Sequence, residues 1–168
     1  FLKDVIVNIL LAGRDTSALA LSWFFWLVAT HPSVEEKLLE EARSVLLVSG
    51  QANEELPPEH EILHTREKLN SMVYLQAALS ESLRLYPSVP TDFKHVEKDD
   101  VLPDGNRLLK GQRFIYSIYS MGRMESIWGK DCLEFKPERW LLQSTNEKVL
   151  ANVSPFQYVA FNAGPRTC

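Results

Sequence analysis

Apolar residues crowd the first thirty positions and fall on almost every side of a helical projection. Residues 1–31 therefore predict one long helix, already under way at Phe1 and apolar on most faces, as in a buried core helix. His31-Pro32 ends it. Ser33 and Glu36 have the S-x-x-E spacing of a capping box, and Val34, Leu38, Ala42 and Val45 give the stripe of a second helix. Ser49-Gly50 stops that helix. Residues 51–58 are polar and proline-bearing, which predicts a loop, with a short helix after Pro58. Residues 70–86 are amphipathic, with Met72, Leu75, Leu79, Leu83 and Tyr86 on one face and Pro87 and Pro90 beyond the end. After Asp92 the spacing changes. Residues 93–96, 107–109 and 113–117 predict strands around the turn Pro103-Asp104-Gly105. Residues 119–168 predict mostly irregular chain with short helical turns, a length of coil that suits wrapping around something. The fold class is mainly α with a small β-sheet (α+β), without internal repeat or linker.

Composition narrows this picture only at its edges. With 168 residues, 45% hydrophobic and 24% charged, the chain suits one modest soluble domain. A net charge of -4 argues against nucleic acid as the main partner. The two cysteines, Cys132 and Cys168, form no C-x-x-C pair, so neither a disulfide framework nor a Cys-rich zinc site is expected. There is no signal peptide. The longest apolar stretch, residues 19–30, is broken by Ser22 and is too short to span a bilayer. The chain lacks an initiating Met and opens inside a helical pattern, so a piece of a longer protein is expected.

Candidate chemistry concentrates at the two ends. Phe161-Asn162-Ala163-Gly164-Pro165-Arg166-Thr167-Cys168 spells F-x-x-G-x-R-x-C. A metal-bound thiolate needs backbone packed closely about the sulfur, which Gly164 permits. Arg166 can hold an acidic group of the same cofactor through two hydrogen bonds. Phe161 can pack near the sulfur. Near the other end, Ala12, Gly13, Thr16, Ser17 and Ala20 form a strip of small side chains on one helical face. Gly13 costs about 1 kcal/mol relative to Ala inside a helix. Spacing alone leaves two uses open for the strip, a flat cofactor or a close helix crossing. Glu81 and Arg84 form E-x-x-R, and Pro137-Glu138-Arg139-Trp140 supplies a second Arg.

These motifs, in this order, resemble the cytochrome P-450 (haem-thiolate monooxygenase) family across essentially all 168 residues. The resemblance implies a partial monooxygenase domain over residues 1–168, from the central oxygen-binding helix to the cysteine loop. It implies haem b with Cys168 as axial iron ligand, a thiolate that favours O–O cleavage. It makes Asp15 and Thr16 a proton relay and places Ala12, Gly13, Phe161, Gly164 and Arg166 around the haem. Glu81, Arg84 and Arg139 become a structural triad. Lys94 stands where many relatives carry an Arg for a haem propionate, and offers a point charge instead of a fork. At finer grain Trp23-Phe24-Phe25-Trp26, residues 82–90 and residues 117–123 resemble the plant fatty-acid omega-hydroxylase branch. That branch implies terminal hydroxylation, with mid-chain or other lipid hydroxylation as the alternative. It implies NADPH supplied through a reductase, O2, and the cytosolic face of the endoplasmic reticulum membrane, reached by an N-terminal anchor outside this chain.

A competing motif is His60-Glu61-Ile62-Leu63-His64, the H-E-x-x-H of zinc peptidases. Pro57 and Pro58 put His60 in a first helical turn, and no third-ligand continuation follows. A solvated connector is favoured there. A non-catalytic fragment is the remaining alternative.

Overall fold

Helix α1 (Leu2–Thr30) takes up the first apolar segment as one element, and α2 (Pro32–Leu47) follows after His31. The structure, a computed structural model, describes residues 1–47, 66–143, 148–165 and 167–168. The expected loop at 51–58, the helix after Pro58, and the His60/His64 pair lie outside the described residues. Next come α3 (Arg66–Ser71) and α4 (Val73–Leu85). Four strands follow: β1 (Thr91–His95), β2 (Asp100–Val101), β3 (Arg107–Leu108) and β4 (Arg113–Ser117). Short helices α5 (Ile118–Met121) and α6 (Glu125–Trp128), a 3-10 turn (Pro137–Trp140), β5 (Leu141–Gln143) and β6 (Lys148–Leu150) complete the order. The chain divides into two units, Phe1–Leu83 with Glu134–Val153, and Arg84–Leu133 with Ser154–Cys168.

In the first unit α1 departs from expectation. It is helical throughout, but only Phe24 and Leu27 are buried. Leu10, Leu11, Phe25 and Trp26 are exposed. Apolar residues all round a helix need partners all round it. Among the described residues α2 covers one side near the C-terminal end, where Val34 is buried too. By length and mean hydropathy (1.3) α1 is apolar enough to cross a membrane, contrary to the estimate from its unbroken stretch. Every 18-residue window of it nevertheless contains both Arg14 and Asp15. Each such charge at a bilayer centre costs about 3 kcal/mol or more.

The capping box is also displaced. Pro32 begins α2, and the His31 carbonyl accepts from the amides of Val34 and Glu35, so Ser33 already lies inside the helix. Residues 70–86, expected as one helix, divide at Met72. The cause is tertiary. The Glu41 carboxylate of α2 accepts from the amides of Tyr74 (2.7 Å) and Leu75 (2.8 Å), capping α4 from a neighbouring helix. Within α4 Tyr74, Ala77, Ala78 and Glu81 are buried.

The second unit holds the β1–β4 ladder, antiparallel from Thr91↔Ser117 to His95↔Arg113. The expected single sheet is instead three two-stranded ladders, β1–β4, β2–β3 and β5–β6. The β5–β6 ladder, in the first unit, lies in chain expected to be irregular. In the second unit Gly122 follows α5. A Cβ there would run into the Arg84 carbonyl, so this position admits only glycine.

Candidate functional site

The cysteine-bearing segment closes on itself. The Cys168 amide donates to the Phe161 carbonyl at 2.8 Å, joining both ends of F-x-x-G-x-R-x-C. Inside the loop Asn162 has φ +66 and Gly164 φ +88, both in the left-handed region. Glycine takes that conformation without strain, and asparagine is among the few other residues that tolerate it. Space beyond the Gly164 Cα is open. Cys168 is a free, exposed thiol, and Phe161 is exposed beside it in the sequence motif, its ring 6.4 Å from that of Tyr158. Arg166 lies outside the described residues.

The β1–β4 ladder grips this loop through groups that sequence reasoning passed over. Asp92 and Tyr116 are directly opposed on the two strands. Tyr116 Oη lies 2.9 Å from Asp92 Oδ2 and 2.5 Å from Asn162 Oδ1, and Asn162 Nδ2 donates to Asp92 Oδ2 at 3.2 Å. A carboxylate only accepts, so the amide turns its NH2 toward Asp92 and its oxygen toward the phenol. The Phe93 amide, followed by the hydrogen bonds from Tyr116, Asn162 and Lys94, holds Asp92 below the usual carboxylate range against an opposing effect of burial. Tyr116 is pushed up, first by burial and then by Asp92, and so stays a proton donor. Alternation along β1 was the available signal, since Asp92 and Lys94 must share a face. No sequence rule pointed to Asn162 as their partner.

Lys94 belongs to the same cluster. Its ammonium is 3.4 Å from Asp92 Oδ2 and 5.9 Å from the Tyr116 ring centre. The side chain remains largely exposed, so the group is anchored at one side and open to solvent at the other.

In the first unit, the Ala12–Ser17 segment of α1 keeps its helical hydrogen bonding. Thr16 Oγ1 donates to the Ala12 carbonyl at 2.6 Å, which leaves the hydroxyl oxygen able to accept. Asp15 is exposed, with its carboxylate 3.9 Å from Arg14 Nε. A Cβ on Gly13 would meet nothing within 4 Å, so its face of the helix is open.

The E-x-x-R pair is buried and does two jobs. Glu81, fully buried, accepts from Arg139 Nε (3.3 Å), Trp140 Nε1 (2.9 Å) and the Lys136 amide (3.1 Å). One carboxylate thus gathers the Pro137–Trp140 turn. In the second unit the Arg84 guanidinium donates to the carbonyls of Gly122 and Cys132 and lies 5.1 Å from the Trp128 ring.

The Cytochrome P450 family model matches residues 2–168. The chain belongs to the cytochrome P450 family. It is 53% identical to Cytochrome P450 86B1 of Arabidopsis thaliana over all 168 residues, and 42% identical over its whole length to Alkane hydroxylase MAH1 of the same plant. Cytochrome P450 94A2 of Vicia sativa is 43% identical, again along the whole chain. The chain spans 29% of the length of the first of these relatives and 30% of the other two. The family match runs through His60 and His64.

Proposed function

We propose that this chain is part of a haem-thiolate monooxygenase that hydroxylates an aliphatic lipid, with the terminal carbon of a fatty acid as the preferred position. The observation that carries the proposal is the closed Phe161–Cys168 loop with its free, exposed thiol, in a chain that the P450 family model matches. A thiolate is a donor that haem iron accepts, and no disulfide competes for Cys168. The donor set therefore fits the group. Phe161 and Gly164 would flank it on the thiolate side, and the motif assigns Arg166 to a propionate. Ala12 and Gly13 offer an open, small-residue helix face on which a flat macrocycle can lie. Lys94 would meet a propionate from its exposed side. When bound, the haem supplies activation of O2, and the thiolate promotes O–O cleavage.

Overall, R–H, O2, NADPH and H+ give R–OH, H2O and NADP+, with the two electrons entering through a reductase. The chain's own groups handle the protons. The Asp15 carboxylate, exposed at the helix surface, can accept a hydrogen bond from a water and orient it. Thr16 Oγ1 can accept a hydrogen bond from a water and hold it in place, because its own proton is committed to Ala12. The aliphatic substrate is supported by the likeness to an alkane hydroxylase. The likeness to P450s of Arabidopsis thaliana and Vicia sativa supports placement at the endoplasmic reticulum membrane.

Cys168→Ala is the decisive variant. In the haem-loaded protein it removes the thiolate-type reduced carbon monoxide spectrum and hydroxylation together; retention of both overturns the proposal. Product analysis with a fatty acid tests the finer point. A terminal alcohol supports it, and a mid-chain alcohol replaces it.

A further inference from the structure

We infer that Asp92, Tyr116 and Asn162 form a latch that sets the position of the Cys168 loop, and through it whether the sulfur stays in place as the iron ligand. The inference rests on the proposed haem-thiolate reading. Its starting point is a conformational one. Asn162 is the one described non-glycine residue at positive φ, and it immediately follows Phe161, whose carbonyl accepts the Cys168 amide. Rotation at Asn162 would carry the rest of the loop away from that contact. A side chain at such a residue costs backbone strain unless its surroundings hold it.

The holding groups come from a rigid element. Asp92 and Tyr116 face each other on paired strands whose register runs over five residue pairs. Their oxygens meet the Asn162 amide at 2.5 Å from Tyr116 and 3.2 Å from Asp92, on both of its polar atoms. Lys94, 3.4 Å from Asp92, keeps a cation beside the carboxylate. The ladder is therefore a jig, and Asn162 is its point of attachment to the loop. These are positioning residues. None is assigned a contact with substrate or iron.

The test uses the complete haem-loaded protein and reads the reduced carbon monoxide spectrum, in which haem with the thiolate in place and haem with the sulfur displaced give separate bands. Tyr116→Phe removes one hydroxyl and no bulk. It should raise the ratio of the displaced-sulfur band to the thiolate band by roughly fivefold, the change expected for one lost hydrogen bond, with the strand pairing intact by circular dichroism. Asn162→Gly keeps the left-handed backbone accessible but deletes the amide, and should do the same. Asn162→Asp places two carboxylates together and should have the largest effect. Combining it with Asp92→Asn restores one carboxylate and one amide, and should return the spectrum most of the way to that of the parent.

Unchanged spectra in Tyr116→Phe and Asn162→Gly overturn the latch, as does failure of the exchanged pair to rescue. Any of these with a thiolate band in the parent leaves the monooxygenase reading standing. Absence of that band in the parent removes the reading and the latch with it.

Discussion

Helices α1 and α4 invert the rule that the more apolar helix is the more buried. In α1, 29 residues long, only two side chains are buried. In the 13-residue α4 the carboxylate of Glu81 and the guanidinium of Arg84 are among the most completely buried groups described. Hydropathy measures what a side chain gains on leaving water. Burial further requires a neighbour. Helix α4 has such neighbours: the Glu41 cap, the Pro137–Trp140 turn and the carbonyls of Gly122 and Cys132. They also satisfy its polar groups, which is the condition for burying them. The apolar surface of α1 has few such partners among the described residues. Substitutions in α4 should therefore act on folding, and substitutions in the Ala12–Ser17 part of α1 on chemistry.

Glu81→Ala tests the α4 side of the contrast most severely. It leaves Arg139, Trp140 Nε1 and the Lys136 amide without their shared acceptor. Loss of one member of a buried charged cluster costs about 3–5 kcal/mol. Thermal or denaturant unfolding should show this in full. A loss below about 1 kcal/mol, an ordinary surface value, would mean that the burial of α4 does not depend on its polar partners.

Thr16→Ala is the counterpart in α1. Its hydroxyl donates to a carbonyl of its own helix at an exposed position, so stability should change by no more than about 0.5 kcal/mol. Product formation should fall by roughly a hundredfold, at the low end for a positioned proton-handling group. NADPH consumption should continue, with its electrons recovered as hydrogen peroxide. Tight coupling in the variant would remove Thr16 from the proposed proton path.

Much of this contrast was legible in the sequence, and its gaps are physical. The F-x-x-G-x-R-x-C and E-x-x-R motifs are local, so they could be found by spacing. Helix α1 and the strands β1, β3 and β4 followed from apolar runs and alternation. The split at Met72 was not legible, because the Glu41 cap comes from another helix. The Asp92–Tyr116–Asn162 cluster was missed for the same reason. Tyr116 is 24 residues from Asp92, and Asn162 is 70. Strand alternation could pair Asp92 with Lys94, but only the fold brings in the other two.

A smaller effect is expected at Glu138, beside the Glu81 cluster on the same turn. Burial pushes this carboxyl up, but hydrogen bonds from Lys37, the backbone and Tyr74 carry it below the ordinary range on balance. A depressed folded-state value contributes stability that is complete above the unfolded value. That stability is lost as pH falls through the folded one. The melting temperature should thus hold down to about pH 5 and decline below about pH 4.3, the ordinary Glu value. Lys37 is 2.6 Å from Glu138, in a pair with both members more than a third exposed. Solvent screening limits its worth to under about 1 kcal/mol. Lys37→Ala should flatten the acid decline without altering stability much at neutral pH. An unchanged acid limb would show that Lys37 does not hold the carboxyl down.

The finest test lies one residue from Glu81. Ser82 is also buried in α4, but its hydroxyl has no hydrogen-bond partner among the described residues. Glu81 and Ser82 thus pose the same question with opposite signs, because one buried polar group is satisfied and its neighbour is not. Removing an unsatisfied hydroxyl relieves a desolvation cost. Alanine also has the higher helix propensity. Against this stands the small space left by the lost oxygen, which surrounding side chains must close. Ser82→Ala should therefore raise stability slightly, by about 0.5 kcal/mol, the scale of a helix-propensity difference. Denaturant midpoints measured beside Glu81→Ala will give the sign. A clear loss of stability in Ser82→Ala would mean that the hydroxyl has a partner in solution, and that every buried polar group of α4 is satisfied.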